Sequence, residues 1–185
     1  MELKTERLVL RDLRNEDLAD LVEGANNINV SRFLALVPFP YSEESGKWFI
    51  NHCQEEAEKN PRENYEFGIE LTGENKLVGM VSLTSVKEFE QKAVLGCWLA
   101  EKYWRKGIMN EAIERVLDFA YNELGLNRIE AEAFVENTPS NSMIKKLGFK
   151  YEGTKRKSVR TKSTGEFHDS NVYSMLKEDW SARKK

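Results

Sequence analysis

One stretch of the chain sets chemically useful groups in a telling order. An apolar strand ends at Leu99, a short turn Ala100-Glu101-Lys102-Tyr103 follows, and Trp104-Arg105-Lys106-Gly107-Ile108-Met109 leads into a long amphipathic helix from Asn110. A helix N-terminus presents unpaired backbone N–H groups and the positive end of its dipole, so such a loop can cradle a pyrophosphate. Gly107 allows close backbone approach, and Arg105 and Lys106 add local positive charge. A glycine-containing turn with two solvated cations is the plainer alternative. The Gly-Lys-Ser/Thr ending of a nucleotide P-loop is missing, as are the three glycines of a dinucleotide fingerprint, so ATP and NAD fall in rank. Cys53 and Cys97 lie far apart and the only histidines are His52 and His168, a set without metal-ligand spacing; no metal is expected.

These groups need elements to hold them. The 185 residues, 40% hydrophobic and 32% charged, suit one domain over 1–185 with a sizeable core. With 28 basic and 31 acidic residues the net charge is -3, where a nucleic-acid binder usually carries a basic excess, so direct nucleic-acid binding is disfavoured. No run approaches the roughly 18 apolar residues of a membrane span, and the start lacks the apolar stretch of a signal peptide, so a cytoplasmic protein is expected.

Arg7 to Arg11 reads as a strand, followed by a helix capped by Asn15 with Leu18, Leu21, Val22 and Ala25 at helical spacing. Ser42 starts a second helix through Phe49, Cys53 and Ala57, stopped at Asn60-Pro61. Tyr65 to Leu71, a turn at 72–75 and Lys76 to Leu83 form a hairpin. Ala93 to Leu99 is apolar enough for a central strand covered on both faces. A helix over Asn110–Leu124, a strand over Arg128–Val135, a helix over Ser140–Leu147, an extended piece from Phe149 to Gly153 and a last strand, Phe167 to Leu176, complete an α/β order.

In order and spacing the chain resembles the GCN5-related N-acetyltransferases (GNAT). The fragments that carry this are Thr5-Glu6-Arg7-Leu8-Val9-Leu10-Arg11, Leu95-Gly96-Cys97-Trp98-Leu99, Tyr103-Trp104-Arg105-Lys106-Gly107, Glu111-Ala112, Glu136-Asn137, Lys146-Leu147-Gly148-Phe149 and Glu152-Gly153. The tail Gly165-Glu166-Phe167-His168-Asp169-Ser170-Asn171-Val172-Tyr173 and Gly107-Ile108-Met109 look like the branch that acetylates serine or alanine at ribosomal-protein N-termini. The resemblance implies one mixed, mostly antiparallel sheet with a splayed parallel strand pair and helices on both faces. It implies acetyl-CoA at the splay, with pantetheine against the backbone near Leu99, pyrophosphate on the amides of Arg105, Lys106, Gly107, Ile108, Met109 and Asn110, and Asn137 and Asn141 facing the cofactor arm. Trp104 departs from the usual Gln or Arg, and Met109 from the usual Gly or Ala; the Met109 side chain itself reads as core.

Acetyl transfer to an amine needs a neutral nucleophile, a stabilised oxyanion and a satisfied leaving thiolate. At pH 7, neutralising an α-amine costs roughly 1 kcal/mol and a lysine roughly 4.6 kcal/mol, so a carboxylate base suits the first better. The resemblance assigns that base to Glu152; an exposed strand carboxylate is the alternative. The family's tyrosine acid falls at Ile144, and Ser140 is left either to hydrogen-bond the departing sulfur or to cap its helix. Five cations over 155–162 can receive an acidic peptide or simply solvate a hairpin. Trp48 and Phe49 are candidate floor residues of the acceptor pocket, and His168 and Asp169 candidate groove lining or braces of the last strand. The expected activity is acetyl transfer to an α-amine, most plausibly a (ribosomal) protein N-terminus, in a ternary complex, by an enzyme that in this family often dimerises. A small-amine acetyltransferase and a CoA-binding sensor stay open.

Overall fold

The described residues form eight strands, most of them on alternating or continuous apolar runs: β1 (Glu2–Lys4), β2 (Leu8–Arg11), β3 (Tyr65–Leu71), β4 (Lys76–Lys87), β5 (Lys92–Leu99), β6 (Arg128–Phe134), β7 (Lys150–Arg160), which is polar and exposed, and β8 (Phe167–Leu176). The computed structural model describes residues 1–183; the last two residues of the expected 1–185 domain lie outside them. The strands form one sheet in the order β1-β2-β3-β4-β5-β6-β8-β7, and only β5 and β6 pair in parallel. The helices are α1 (Leu18–Ala25), α2 (Ile28–Ser31), α3 (Glu43–Glu58), α4 (Ile108–Asp118), α5 (Thr138–Lys146) and α6 (Lys177–Arg183).

Strand alternation sorts the side chains onto two faces. Phe67, Val81, Leu95, Ile129 and Tyr173 meet Ile113, Leu117 and Ile144 of α4 and α5 in the larger core. Met80 and Leu77 on the opposite face meet Leu21 of α1 and Ile50 and Cys53 of α3. Burying one such aliphatic or aromatic side chain is worth about 1.5–3 kcal/mol, so these two layers hold both helix sets to the sheet. A buried ionic clamp fixes the entry to α1: Arg11 donates to both Asp17 oxygens at 2.7 and 2.8 Å and to Glu70 at 2.6 Å.

The mixed sheet, parallel pair and helices on both faces are as expected, with local differences. Asn15 begins a 3-10 turn over Asn15–Asp17 rather than capping α1. α4 starts two residues early, at Ile108, and passes into a π turn over Phe119–Glu123, where Leu124 N–H bonds to the Phe119 carbonyl at 3.0 Å. α5 is capped by Asn137, whose side chain accepts from Ser140 N–H at 3.3 Å, so Ser140 sits inside the first turn. The cation-rich segment is strand β7, and β1, α2 and α6 are additional.

Candidate active site

The parallel pairing runs only from Lys92↔Arg128 to Leu95↔Ala131, after which β5 and β6 part. Ala100 N–H bonds to the Val78 carbonyl of the β4 side at 2.9 Å. By antiparallel alternation the backbone groups of Cys97 and Leu99 point the other way, into the gap. This is an extended, unpaired backbone edge lying between two strands. Ala93, Leu95 and Leu99 of β5 are buried, but Val94, Gly96 and Trp98 on the α1/α3 face are only partly covered. The expected strand covered on both faces is therefore mostly covered on one, where only Cys97 is partly exposed at its open end; the other face is more open.

At the end of β5 the loop turns through Arg105 and Gly107, which both take positive φ, 61° and 77°. Left-handed residues bracketing Lys106 fold the backbone N–H groups toward one concavity at the N-terminus of α4, the geometry of an anion nest. A Cβ at Gly107 would meet only Arg7 Nη2, at 3.6 Å, which leaves the concavity open. Lys106 lies over the Tyr103 ring at 5.3 Å. Glu111, in the first turn, would repel an anion, but it is engaged: Thr5 Oγ1 donates to it at 2.5 Å and Arg7 Nε at 2.7 Å. Burial opposes ionisation of Glu111, and these hydrogen bonds outweigh it and hold its carboxyl below the ordinary range. Ile108 and Met109 send their side chains into the core, leaving their backbone and exposed Asn110 at the loop. The free edge and the nest together suit a pantetheine arm joined to a pyrophosphate. Trp104 fixes their relation, its indole Nε1 donating to the Leu99 carbonyl at 2.7 Å and engaging one of its lone pairs, while the Leu99 N–H stays available to a ligand.

On the β6 side, Asn141 is spent on structure. Its amide donates to the Phe134 and Asn137 carbonyls at 2.8 Å each, and its oxygen accepts from Tyr173 at 2.6 Å and Asn171 at 2.9 Å. The expected cofactor contact through Asn141 is thus corrected to a buried fastening between α5, β6 and β8. Tyr173 is committed to that fastening and Ile144 is core, so neither replaces the tyrosine acid. Ser140, half-buried in the first turn of α5, follows the open arm of β6.

Glu152 is placed elsewhere. It forms a bidentate pair with Arg128 at 2.9 and 2.6 Å and accepts from Ser174 Oγ at 2.7 Å. Arg128 starts β6, three positions before Ala131, the last β6 residue paired with β5, so its backbone lies about 10 Å from the head of the splay. The Arg128 and Ser174 hydrogen bonds hold its carboxyl at about 2. A carboxylate so acidic and held by a bidentate guanidinium is a poor base, and that expectation is corrected.

A carboxylate not singled out in the sequence, Glu66, lies on the α1/α3 face in line with the point where β5 and β6 part. Register aligns Glu66, Ser82 and Gly96 across β3, β4 and β5 on the α1/α3 face. Gly96 is the first β5 residue beyond the last pair with β6. Burial pushes the Glu66 carboxyl up, reinforced by Glu56 and offset in part by hydrogen bonding with Ser82 and the charge of Arg62. The only sequence signal was a glutamate on the polar phase of an alternating strand.

The acceptor candidates divide. His168 stacks on Phe134 with centroids 4.5 Å apart, its Nδ1 meets Glu136 and its Nε2 lies 3.5 Å from Thr161 Oγ1. Asp169 accepts from Lys157 N–H at 2.7 Å, so both residues brace the β7–β8 hairpin beside the splay. Phe49 packs into the second core, whereas Trp48 is 66% exposed and stacks on His52. The hairpin in turn reaches across: Lys162 N–H bonds to the Ala35 carbonyl at 3.0 Å and Ser163 Oγ to the Ser31 carbonyl at 3.1 Å. Since Asn27 beside α2 is anchored to Glu101 at the end of β5, at 2.6 Å, these contacts bridge the splay at its open end. Among the described residues, no group of His, Cys, Asp and Glu is arranged to hold a metal ion, and no helix is long and apolar enough to cross a membrane.

The family model for an acetyltransferase (GNAT) domain matches residues 7–150. The chain is 38% identical over 140 residues to "Probable N-acetyltransferase YjcK" of Bacillus subtilis, covering 75% of each. It is 35% identical over 119 residues to "Putative ribosomal N-acetyltransferase YdaF" of the same organism, covering 63% of this chain and 64% of that one. A solved acetyltransferase of the GNAT family from Bacillus anthracis superposes with a TM-score of 0.81 at 29% identity, covering 96% of this chain and 99% of the other.

Proposed function

The chain belongs to the acetyltransferase (GNAT) family, and from this premise we propose that it transfers acetyl from acetyl-CoA to the α-amine of a protein or peptide N-terminus, by direct transfer in a ternary complex. Acetyl-CoA supplies the acyl group already activated as a thioester. The chain's part is to hold and orient. The backbone of Cys97 and the N–H of Leu99 align the pantetheine arm, and the amides from Arg105 to Asn110 with the two loop cations receive the pyrophosphate. Asn137 shapes this side of the cleft as the cap of α5, and Ser140 is the hydroxyl placed to hydrogen-bond the leaving sulfur.

The observation that carries the choice of acceptor is the bridge from the β7–β8 hairpin to residues 31–35. It narrows the approach to the splay, which suits the extended end of a chain better than a folded surface. Arg156, Lys157 and Lys162 lie exposed on the same hairpin and favour an acidic partner, and the name of YdaF points to a ribosomal one. A diamine or polyamine is the second reading, favoured by Glu66, Glu130 and Glu132 on the α1/α3 face of the sheet. The cytoplasm, where acetyl-CoA and nascent N-termini meet, fits the free thiols of Cys53 and Cys97.

The test is turnover of a mixed panel of short peptides with free N-termini and common polyamines, read by CoA release and product mass. Singly acetylated Ser-, Ala- or Met-initiated peptides support the proposal. Acetylated polyamine alone transfers the site to small amines, and CoA binding without any product makes the protein a sensor.

A further inference from the structure

We infer that Glu66 is the carboxylate that takes the proton from the acceptor amine at the head of the splay. This rests on the acetyl-transfer reading of the cleft. The row Glu66–Ser82–Gly96 runs across three adjacent strands on the α1/α3 face and ends where β5 and β6 part. Gly96 brings no side chain to that face, and within 4 Å a Cβ there would meet only Ser82 Oγ, at 2.8 Å, so the row itself is what borders this position. Two strand spacings of about 4.8 Å put the Glu66 and Gly96 Cα atoms about 10 Å apart, and an extended glutamate covers roughly half of that. The gap left accommodates an ammonium group or one bridging water, within the reach of a general base.

The other carboxylates of this face are held by cations. Glu130 pairs with Arg128 at 2.9 Å, Glu132 pairs with Lys155, and Glu70 pairs with Arg11 at 2.6 Å. Among the described residues Glu66 has no such ion pair. The charged and titratable groups around it are Arg62 before β3 and Glu56 and Cys53 of α3. Burial pushes the Glu66 carboxyl up, the direction that makes a carboxylate a stronger base.

Of the three protons on the incoming ammonium, one passes to Glu66, directly or through water. The freed nitrogen lone pair forms the N–C bond to the acetyl carbon as the C–S bond breaks, with its electron pair going to sulfur. A second proton leaves with the CoA thiol, and the third stays on the amide.

The experiment is Glu66→Gln and Glu66→Asp, assayed for kcat/KM from pH 5.5 to 9.5 on whichever amine the wild-type protein acetylates, with acetyl-CoA affinity measured by calorimetry. Glu66→Gln is expected to lose about 100-fold in kcat/KM, and the acid limb of its profile flattens, at unchanged acetyl-CoA affinity. Glu66→Asp, which keeps the charge on a shorter arm, is expected to retain the limb at an intermediate rate. Full activity of Glu66→Gln with the wild-type pH profile overturns the assignment of Glu66 while leaving acetyl transfer intact. Wild-type protein that binds acetyl-CoA but acetylates no amine overturns the reading on which it rests.

Discussion

Two glutamates, both on strands and neither fully exposed to bulk water, end in opposite electrostatic states. Glu152 sits against a guanidinium, and its depressed value near 2 means the ion pair stabilises the fold above the unfolded value of 4.5 and is lost as pH falls through about 2. The side chain is 39% exposed, so screening limits the contribution to below about 1 kcal/mol. Glu152→Gln is expected to keep kcat/KM within about threefold and to lower Tm slightly at pH 7, a difference that shrinks as the pH is taken from 4.5 toward 2. Glu66 has the reverse sign. Its raised value means that stability is complete below 4.5 and declines as pH rises through the folded-state value. Replacing it with Gln should therefore raise Tm at pH 7–8 and change little at pH 4. Differential scanning calorimetry checks both. Neither state was legible in the sequence, because Arg128, Ser174 and Ser82 reach these carboxylates only through strand pairing.

At the scale of elements, the loop proposed to hold the cofactor was the most readable part, since its N–H groups and cations are adjacent in sequence. What the sequence did not reveal is how the loop is locked. Trp104, a departure from the usual residue, ties it to Leu99, and Arg7 and Thr5 cap Glu111 from across the sheet. Trp104→Phe removes one hydrogen bond, to a partly exposed carbonyl, and is expected to raise the KM for acetyl-CoA about three- to tenfold with kcat little changed. Gly107→Ala has space for its methyl but must hold a left-handed φ of 77°, at a cost of about 1–2 kcal/mol. Relaxation of that strain turns amides away from the nest, so a rise in KM for acetyl-CoA of about tenfold is expected from steady-state kinetics. The helix boundaries shifted for related reasons: apolar Ile108 and Met109 extend α4 into the core, and the π turn lets Phe119 and Tyr121 both be buried.

For the whole molecule the decisive contact is the bridge between the β7–β8 hairpin and residues 31–35, two segments more than a hundred positions apart. Strand β7 is a sheet edge, and its Lys and Arg residues oppose edge-to-edge pairing while presenting a basic rim to the cleft. Charge reversal of Arg156, Lys157 and Lys162 to Glu is expected to lower kcat/KM for acidic peptides about tenfold at low salt and to flatten its salt dependence, with neutral peptides little affected. Assays between 20 and 500 mM NaCl on the two peptide types check this.

The chain by itself determined the sequence of strands and helices, the two-faced sheet, the phosphate-type loop and the family, because periodicity, helix caps and adjacent loop residues are local properties. Tertiary structure alone decided where β5 and β6 part, that Asn141 is consumed by four hydrogen bonds, that Glu152 is paired with Arg128, and that Glu66 lies in register with Ser82 and Gly96. Burial, ion pairing and alignment across strands depend on residues distant in the chain, and they set the charge and reach of every group that can act on a substrate.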